Sequence, residues 1–226
     1  MFYECSNIIN IDLSSFDTTY VNNMNDMFGK CYNLANIDLS SFDIRNASNM
    51  SIMLSVCSSL KKIDLSSFDT KNVINMSGMF YYCSNIKDIN LSSFDTKNVA
   101  DMNNMFYYCS KLKKIDLSSF DTKKVTNITT MFSSCPNLNQ VIINNISYNI
   151  INSLKNNNKN IKIVDQFGNN NQNPSFNNEH LDLNYDYNIN NLDNNFNNQM
   201  HDEMNDNTDD NIIDKFQNWF SNLIDN

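Results

Sequence analysis

The chain has 226 residues, and its 41% hydrophobic content is enough for the core of one or two domains. Its net charge of -9 argues against non-specific nucleic-acid binding, which depends on basic charge against phosphate. No apolar run of about 18 residues exists, so we expect no transmembrane segment, and residues 1–5 lack the features of a secretory signal.

Residues 1–143 contain a repeat of 26 residues. Columns of Cys, Ile, Leu and Phe share this period, and the consensus is roughly M-F-x-x-C-x-N-L-x-x-I-D-L-S-S-F-D-T-x-N-V-x-N-M. So many coincident columns make a chance period implausible, and they predict stacked units that cover one another's apolar faces. The cysteine column consists of Cys5, Cys31, Cys57, Cys83, Cys109 and Cys135.

Each unit is predicted to contain one short strand and one short helix. Apolar and polar residues alternate from Asn36 to Ser40, as in a half-buried strand. Later in the unit, apolar residues recur at the three- and four-residue spacing of a helix face, as in Val73, Met76, Phe80 and Cys83. The predicted fold class is therefore an α/β repeat solenoid, a parallel strand stack with short convex helices.

These motifs carry a family resemblance. The segment with Leu34, Ile37, Leu39 and Phe42 resembles the strand signature of leucine-rich repeats, and residues 69–83 look like the repeat of BspA-type surface proteins. That repeat is also known from mycoplasma-type lipoproteins. The resemblance covers about residues 1–143. It implies a surface-displayed or extracellular solenoid that binds a protein, such as a host or neighbouring-cell surface protein. It implies no catalytic residue and no cofactor.

The first units depart from the repeat in two ways. In the third unit Ile44 replaces Thr, Ala47 replaces Val and Leu54 replaces Phe, so we expect this unit to be the loosest. The chain also opens in the middle of a unit, without the N-terminal cap that repeat arrays need. We therefore expect a fragment or one piece of a longer array.

Residues 144–164 are predicted to be a C-terminal cap. Ile146, Ile150 and Leu154 are spaced four residues apart, which is consistent with a closing helix. Residues 161–163 alternate between apolar and polar side chains, which predicts a last short strand.

Residues 165–208 are predicted to be a disordered, Asn-rich linker. From residue 144 to the end of the chain, Asn accounts for 28 of 83 residues, and 4 basic residues stand against 12 acidic ones. Residues 1–143, by contrast, have 12 basic and 13 acidic residues. Such a polar stretch cannot offset the entropy of ordering.

Residues 209–226 are predicted to form an amphipathic helix, with all their apolar side chains on one face. The favoured interpretation is that this helix packs on the solenoid or self-associates. Docking into a partner's groove is the next alternative. Membrane insertion is least favoured, because four acids and one Lys would be repelled by anionic lipid. The candidate partner-binding residues are Phe216, Trp219 and Phe220.

The cysteine column is interpreted as a structural ladder of buried free thiols. Disulfides are an alternative, but parallel side chains in adjacent coils rarely reach the required torsion. Zinc is disfavoured because there is no C-x-x-C motif and no neighbouring His.

A second column stacks five acids, whose like charges repel and need compensation. Backbone N–H groups at each helix start are the favoured source, and a calcium ladder is the alternative. The members are Asp17, Asp43, Asp69, Asp95 and Asp121.

Two surfaces are candidates for partner binding. The strand face has outward columns through Asp38 and Lys62, interpreted as a solvated, mutually paired sheet in preference to a ligand surface. The other surface is a group of tyrosines predicted to point outward, either for partner contact or for stacking between repeats. Its members are Tyr81, Tyr82, Tyr107 and Tyr108.

The sequence offers no nucleophile–base spacing, metal motif or Gly-rich phosphate loop, and His180 and His201 both fall in the tail. We therefore expect a non-enzymatic protein-binding or adhesion module displayed on a cell surface. The alternative is an intracellular, cytoplasmic scaffold that recruits a partner through the C-terminal amphipathic helix.

Overall fold

Five three-residue strands follow one another along the chain and pair in parallel. The computed structural model describes residues 1–128, 130–144, 151, 154 and 161–169, all within the unit Met1–Pro174. The strands pair in the orders β1-β2 and β3-β4-β5. They are β1 (Lys62–Asp64), β2 (Asp88–Asn90), β3 (Lys114–Asp116), β4 (Gln140–Ile142) and β5 (Lys162–Val164).

Strand β1 pairs with β2, and β3 with β4, in the register of the 26-residue repeat, whereas β4 pairs with β5 at an offset of 22 residues (Gln140 beside Lys162). Ile63 lies beside Ile89, and Ile115 lies beside Val141. A second series of parallel backbone bridges joins equivalent positions of successive repeats. The positions that pair in order are Asn23, Asn49, Asn75, Asp101 and Asn127. The predicted stack of short parallel strands is therefore present from Lys62 onward. Around Ile37 the predicted alternation of burial is present, but no strand forms there.

The apolar columns form one continuous core. Phe80, Phe106 and Phe132 stack in sequence, with ring centroids 5.5 and 5.3 Å apart. In the third unit, the substituted residues Ile44 and Leu54 are fully buried as well. The substitutions there therefore change which side chains fill the core without opening it, while the expected looseness of this unit stays a prediction.

The predicted convex helices are wrong. Residues 1–128 and 130–144 contain turns where the helices were expected. In four units two positions adopt a left-handed backbone, such as Gly78 (φ 59°) and Tyr82 (φ 58°), which a right-handed helix does not allow. Their N–H groups donate to the next repeat, Gly78 to the Asn103 carbonyl and Tyr82 to the Tyr107 carbonyl, each at 2.8 Å. A helix would need these donors within its own turns.

Tight turns alternate with these inter-repeat bonds. The N–H of Met79 donates to Met76 O at 3.3 Å, and the N–H of Cys83 donates to Phe80 O at 3.2 Å. The apolar spacing of three and four residues, which predicted a helix, therefore arises from consecutive tight turns that bury the same side chains. The backbone is satisfied partly within a unit and partly by its neighbour.

Polar side chains also link the repeats. The Thr70 hydroxyl donates to Asp95 O at 3.1 Å and accepts from Asp95 N–H at 2.9 Å. Thr96 makes the same two bonds to Asp121. Asparagine amides reach one unit back, as when Asn98 donates to the Lys71 carbonyl at 2.8 Å. Each of these bonds fixes the register of one unit on the next.

The predicted cap region is described only in part. Strand β5 lies where the last short strand was predicted, and the helical residues Ile151 and Leu154 are buried. The rest of residues 145–160 lies outside the described residues, and so do residues 170–226, which contain most of the predicted linker and the whole predicted amphipathic helix. No helix among the described residues is long and apolar enough to cross a membrane.

Candidate partner-binding surfaces

The cysteine column forms a ladder of thiol–carbonyl contacts. Five of the six cysteines are buried, Cys5 is half-buried, and all six are free thiols. Cys83 Sγ donates to Leu54 O at 3.1 Å, and Cys109 Sγ donates to Phe80 O at 3.3 Å. Burial raises the pKa of Cys31 to about 11 and that of Cys83 to about 12. Such thiols are unreactive at neutral pH, so their role is packing.

The acidic column is compensated locally. The Asp95 carboxylate accepts the N–H of Lys97 at 3.2 Å and the Nζ of the same residue at 2.6 Å. Asp43 accepts the equivalent hydrogen bonds from Arg45, and these lower the pKa of the Asp43 carboxyl to about 2. The predicted compensation by backbone N–H groups is present, but in a turn instead of at a helix start. For four of the five acids, all except Asp17, the basic residue two positions later supplies a second source of compensation, which the spacing Asp-x-Lys could have revealed.

The tyrosine group does not point outward as a whole. Tyr81 and Tyr107 are buried and stack at 5.0 Å, so their predicted outward orientation is wrong. Tyr82 and Tyr108 are half-buried and stack at 4.3 Å with an interplanar angle of 5°. The geometry matches stacking between repeats, the alternative to partner contact. The error follows from the wrong helix, which would have placed adjacent side chains on its outer face.

An open groove lies along the strand face, with a cavity volume of about 1310 Å³. It is lined by residues of successive repeats, from Asn10 to Asn137, and includes the isoleucine column through Ile63 and Ile115. Exposed polar side chains flank these isoleucines on both sides in each strand. Ile63 and Ile115 are themselves buried, and Ile11, Ile37 and Ile89 are half-buried, so the groove offers mainly hydrogen-bonding and charged groups on both sides of a largely covered isoleucine column.

The acidic side chains of the groove are held by the backbone. Asp38 Oδ1 accepts the N–H of Ser40 at 2.9 Å, and Asp64 Oδ1 accepts the N–H of Ser66 at 2.9 Å. Hydrogen bonding from Ser40 and Ser66 lowers the pKa of both carboxyls. These carboxylates are therefore ionised at neutral pH and fixed in place at the end of each strand segment.

The lysines of the groove have no such partners. Lys87, Lys111, Lys113 and Lys114 are exposed and line the groove, and none of the ion pairs among the described residues includes them. Lys62 and Asp88 also form no described ion pair, but outward side chains of the strand face do pair between repeats, since Asn90 Nδ2 donates to Asp64 Oδ1 at 3.0 Å. Sequence reasoning missed Lys87 and Lys113. They stand 26 residues apart, so the column was visible in the sequence.

One acidic side chain lies in an unusual environment on the turn side. Asp26 Oδ1 is buried and has no hydrogen-bond partner among the described residues, and burial raises the pKa of this carboxyl to about 6. It occupies space that only glycine leaves free, since a Cβ on Gly29 would collide with it. Nearby, Lys30 is buried and donates to Glu4 at 2.8 Å.

A metal site requires several side chains that converge on one ion. In the described part of the chain, no three His, Cys, Asp or Glu side chains converge as they would around a metal ion. The candidate residues Phe216, Trp219 and Phe220 lie outside the described residues, so their proposed role stays a prediction. The groove offers exposed hydrogen-bonding and charged side chains, such as Asn36, Lys62 and Asp64.

Comparison with known proteins gives one match. The family model "Mycoplasma protein of unknown function, DUF285" matches residues 1–89 and 57–174. Neither the curated proteins nor the solved structures include a match to the chain.

Proposed function

The chain belongs to the family described as "Mycoplasma protein of unknown function, DUF285", and on this premise we propose that it is a non-enzymatic protein-binding module displayed on a cell surface. Its repeats form a leucine-rich-repeat-like solenoid of the BspA type, with turns in place of the convex helices. The strand-face groove is the surface that binds the partner.

The groove is the observation that carries this proposal. Equivalent positions of successive repeats line it, so it extends along the stack instead of forming a closed pocket. Extended grooves of this kind suit protein segments, whereas small molecules are usually enclosed on most of their surface. The side chains behind it belong to a fully buried core, which holds the groove in one shape before a partner arrives.

The chemical groups in the groove also favour binding over catalysis. The described lining consists of amides, carboxylates, ammonium groups and isoleucines. Covalent catalysis by a thiol would require an accessible thiolate, and the cysteines of this chain are free thiols that are largely buried, with the pKa of Cys83 raised to about 12. Adhesion and recognition need only complementary surfaces.

The proposal is tested with two matched double variants. In the groove variant, Asn36→Tyr adds a bulky side chain to the groove and Lys62→Glu reverses one of its charges. The control variant, Asn22→Tyr with Lys71→Glu, makes the same two changes at exposed positions that do not line the groove. We expect the purified chain to bind intact neighbouring or host cells, the groove variant to lose that binding, and the control to keep it. Equal binding by both variants would contradict the groove as the binding surface.

Display is tested separately. Protease added to intact cells should degrade the chain if it lies on the outside. Protection from protease, together with loss of partner pull-down on deletion of residues 209–226, would instead favour the intracellular scaffold. In that case Phe216, Trp219 and Phe220 would be the residues to substitute first.

A further inference from the structure

The charges of the groove are distributed unevenly along the stack. The earlier repeats contribute Asp38, Lys62 and Asp64, which leaves this end with a net negative charge. The later repeats contribute two acids and four lysines, so this end carries a net positive charge. The lysines of the positive end, here called the lysine cluster, are Lys87, Lys111, Lys113 and Lys114.

The lysine cluster differs from the other charged columns in lacking compensation. Four of the five acids of the acidic column pair with Arg45, Lys71, Lys97 or Lys123. Lys87 and Lys113 occupy equivalent positions of adjacent repeats, just before β2 and β3, which are neighbours without pairing, so their like charges lie on the same face of successive repeats and repel. Because no described ion pair relieves this repulsion, an anionic ligand would.

We propose that the lysine cluster binds an extended acidic segment of a protein partner. This inference rests on the proposed function of the groove and names the chemistry of its partner. Lysine suits carboxylates presented at variable positions, because its ammonium group is a point charge on a flexible stem. An extended segment can place carboxylates on one side and hydrogen-bond donors on the other, at alternate residues.

The negatively charged end of the groove, in the earlier repeats, favours a protein segment over a uniformly charged polyanion. Asp38 and Asp64 are ionised and held by backbone hydrogen bonds, so they remain in place as fixed negative charges. A sulfated polysaccharide or nucleic acid lying along the groove would be repelled there. A protein segment can carry acidic residues at one end only, and its amides can donate to the aspartates at the other.

The test uses two triple variants of the full chain with the same change in charge. Lys87→Gln, Lys111→Gln and Lys113→Gln alter the cluster, whereas Lys71→Gln, Lys97→Gln and Lys123→Gln remove ion-paired lysines that do not line the groove. The probe is a fluorescent peptide of alternating Glu and Ser, compared with one of alternating Gln and Ser. Affinity is measured by fluorescence anisotropy in low and in high salt.

We expect the Glu-Ser peptide to bind the unaltered chain and the control, with about a tenfold loss in the cluster variant. High salt should weaken this binding, and the Gln-Ser peptide should bind much less. Equal losses in both variants, or equal binding of both peptides, would overturn the inference. So would heparin binding to the cluster more tightly than the Glu-Ser peptide.

The two proposals fail in distinguishable ways. If the groove variant with Asn36→Tyr and Lys62→Glu loses cell binding while the cluster variant retains both cell and peptide binding, the acidic-segment inference is wrong and the groove remains the binding surface. If the groove variant retains cell binding, the proposed function itself is wrong.

Discussion

The turn side and the strand face of this chain have the same 26-residue period but differ in how their polar groups are satisfied. On the turn side, Thr70 is bonded to Asp95, and four of the five acids of the acidic column have their own cations. On the strand face, the lysine cluster has no described ion pair, and the isoleucine column is largely but not wholly covered. Repeated polar side chains of the turn side are thus satisfied by partners within their own repeat or in the next one, whereas the lysines of the strand face take part in no ion pair among the described residues.

The largest expected effect of a substitution lies in the phenylalanine stack. Phe106→Ala should lower the free energy of unfolding by about 3–5 kcal/mol, because this fully buried ring lies between Phe80 and Phe132. Urea denaturation measures the loss. Lys113→Ala in the neighbouring part of the chain should leave the unfolding midpoint nearly unchanged. Similar losses in both variants would remove the distinction between the two sides.

A smaller loss is expected from the threonine links. Thr96→Val removes a buried hydroxyl that both donates to and accepts from the Asp121 backbone, with almost no change in volume. We expect the free energy of unfolding to fall by about 1–3 kcal/mol, because the Asp121 N–H loses its partner. Urea denaturation again provides the measurement, and an unchanged midpoint would show that this bond does not help to hold the repeats together.

Asp26 should make stability depend on pH. Its pKa is about 6 in the folded chain, above the ordinary value of 3.8, so the folded state binds this proton more strongly than the unfolded state does. Stability from this group is therefore present at low pH and lost as the pH rises through about 6. Asp26→Asn should raise the melting temperature at pH 7.5 relative to the unaltered chain, with a smaller difference at pH 4.5. A difference independent of pH would contradict the buried position of this carboxyl.

The smallest effect is expected from removal of calcium. The acidic column is compensated by Arg45, Lys71 and Lys97 among others, so it has no need of a cation ladder. Addition of a chelator should leave the melting temperature unchanged in differential scanning fluorimetry. A decrease on chelation that added calcium reverses would show that calcium occupies this column.

The repeat period, the buried columns and the positions of the strands could be predicted from the sequence, because all three depend on which side chains recur at one spacing. Cys83 and Phe80, for example, are buried as their columns indicated. The turns could not be predicted in this way. A spacing of three and four residues is typical of a helix, yet here the N–H of Tyr82 donates to Tyr107, and local spacing carries no sign of so distant a partner.

The wrong helix also explains the error in the tyrosine group. Tyr81 was placed outward on a helix that does not exist, whereas the left-handed backbone at Gly78 and Tyr82 turns this residue inward. The lysine cluster was missed for a different reason. Its four members fall in three columns, of which Lys87 and Lys113 share one, and only the stacking of the repeats brings Lys111 and Lys114 to one groove with them.

The central claim is that equivalent residues of successive repeats lie beside each other. Spin labels at Lys62→Cys and Asp88→Cys, in a chain with Cys5→Ala, test it directly, since these two positions are paired in register. Their backbones should lie about 5 Å apart, as in any parallel strand pair, so continuous-wave EPR should show strong dipolar broadening relative to the two single-label chains. A doubly labelled spectrum equal to the sum of the single-label spectra would contradict the stacked register and, with it, the groove.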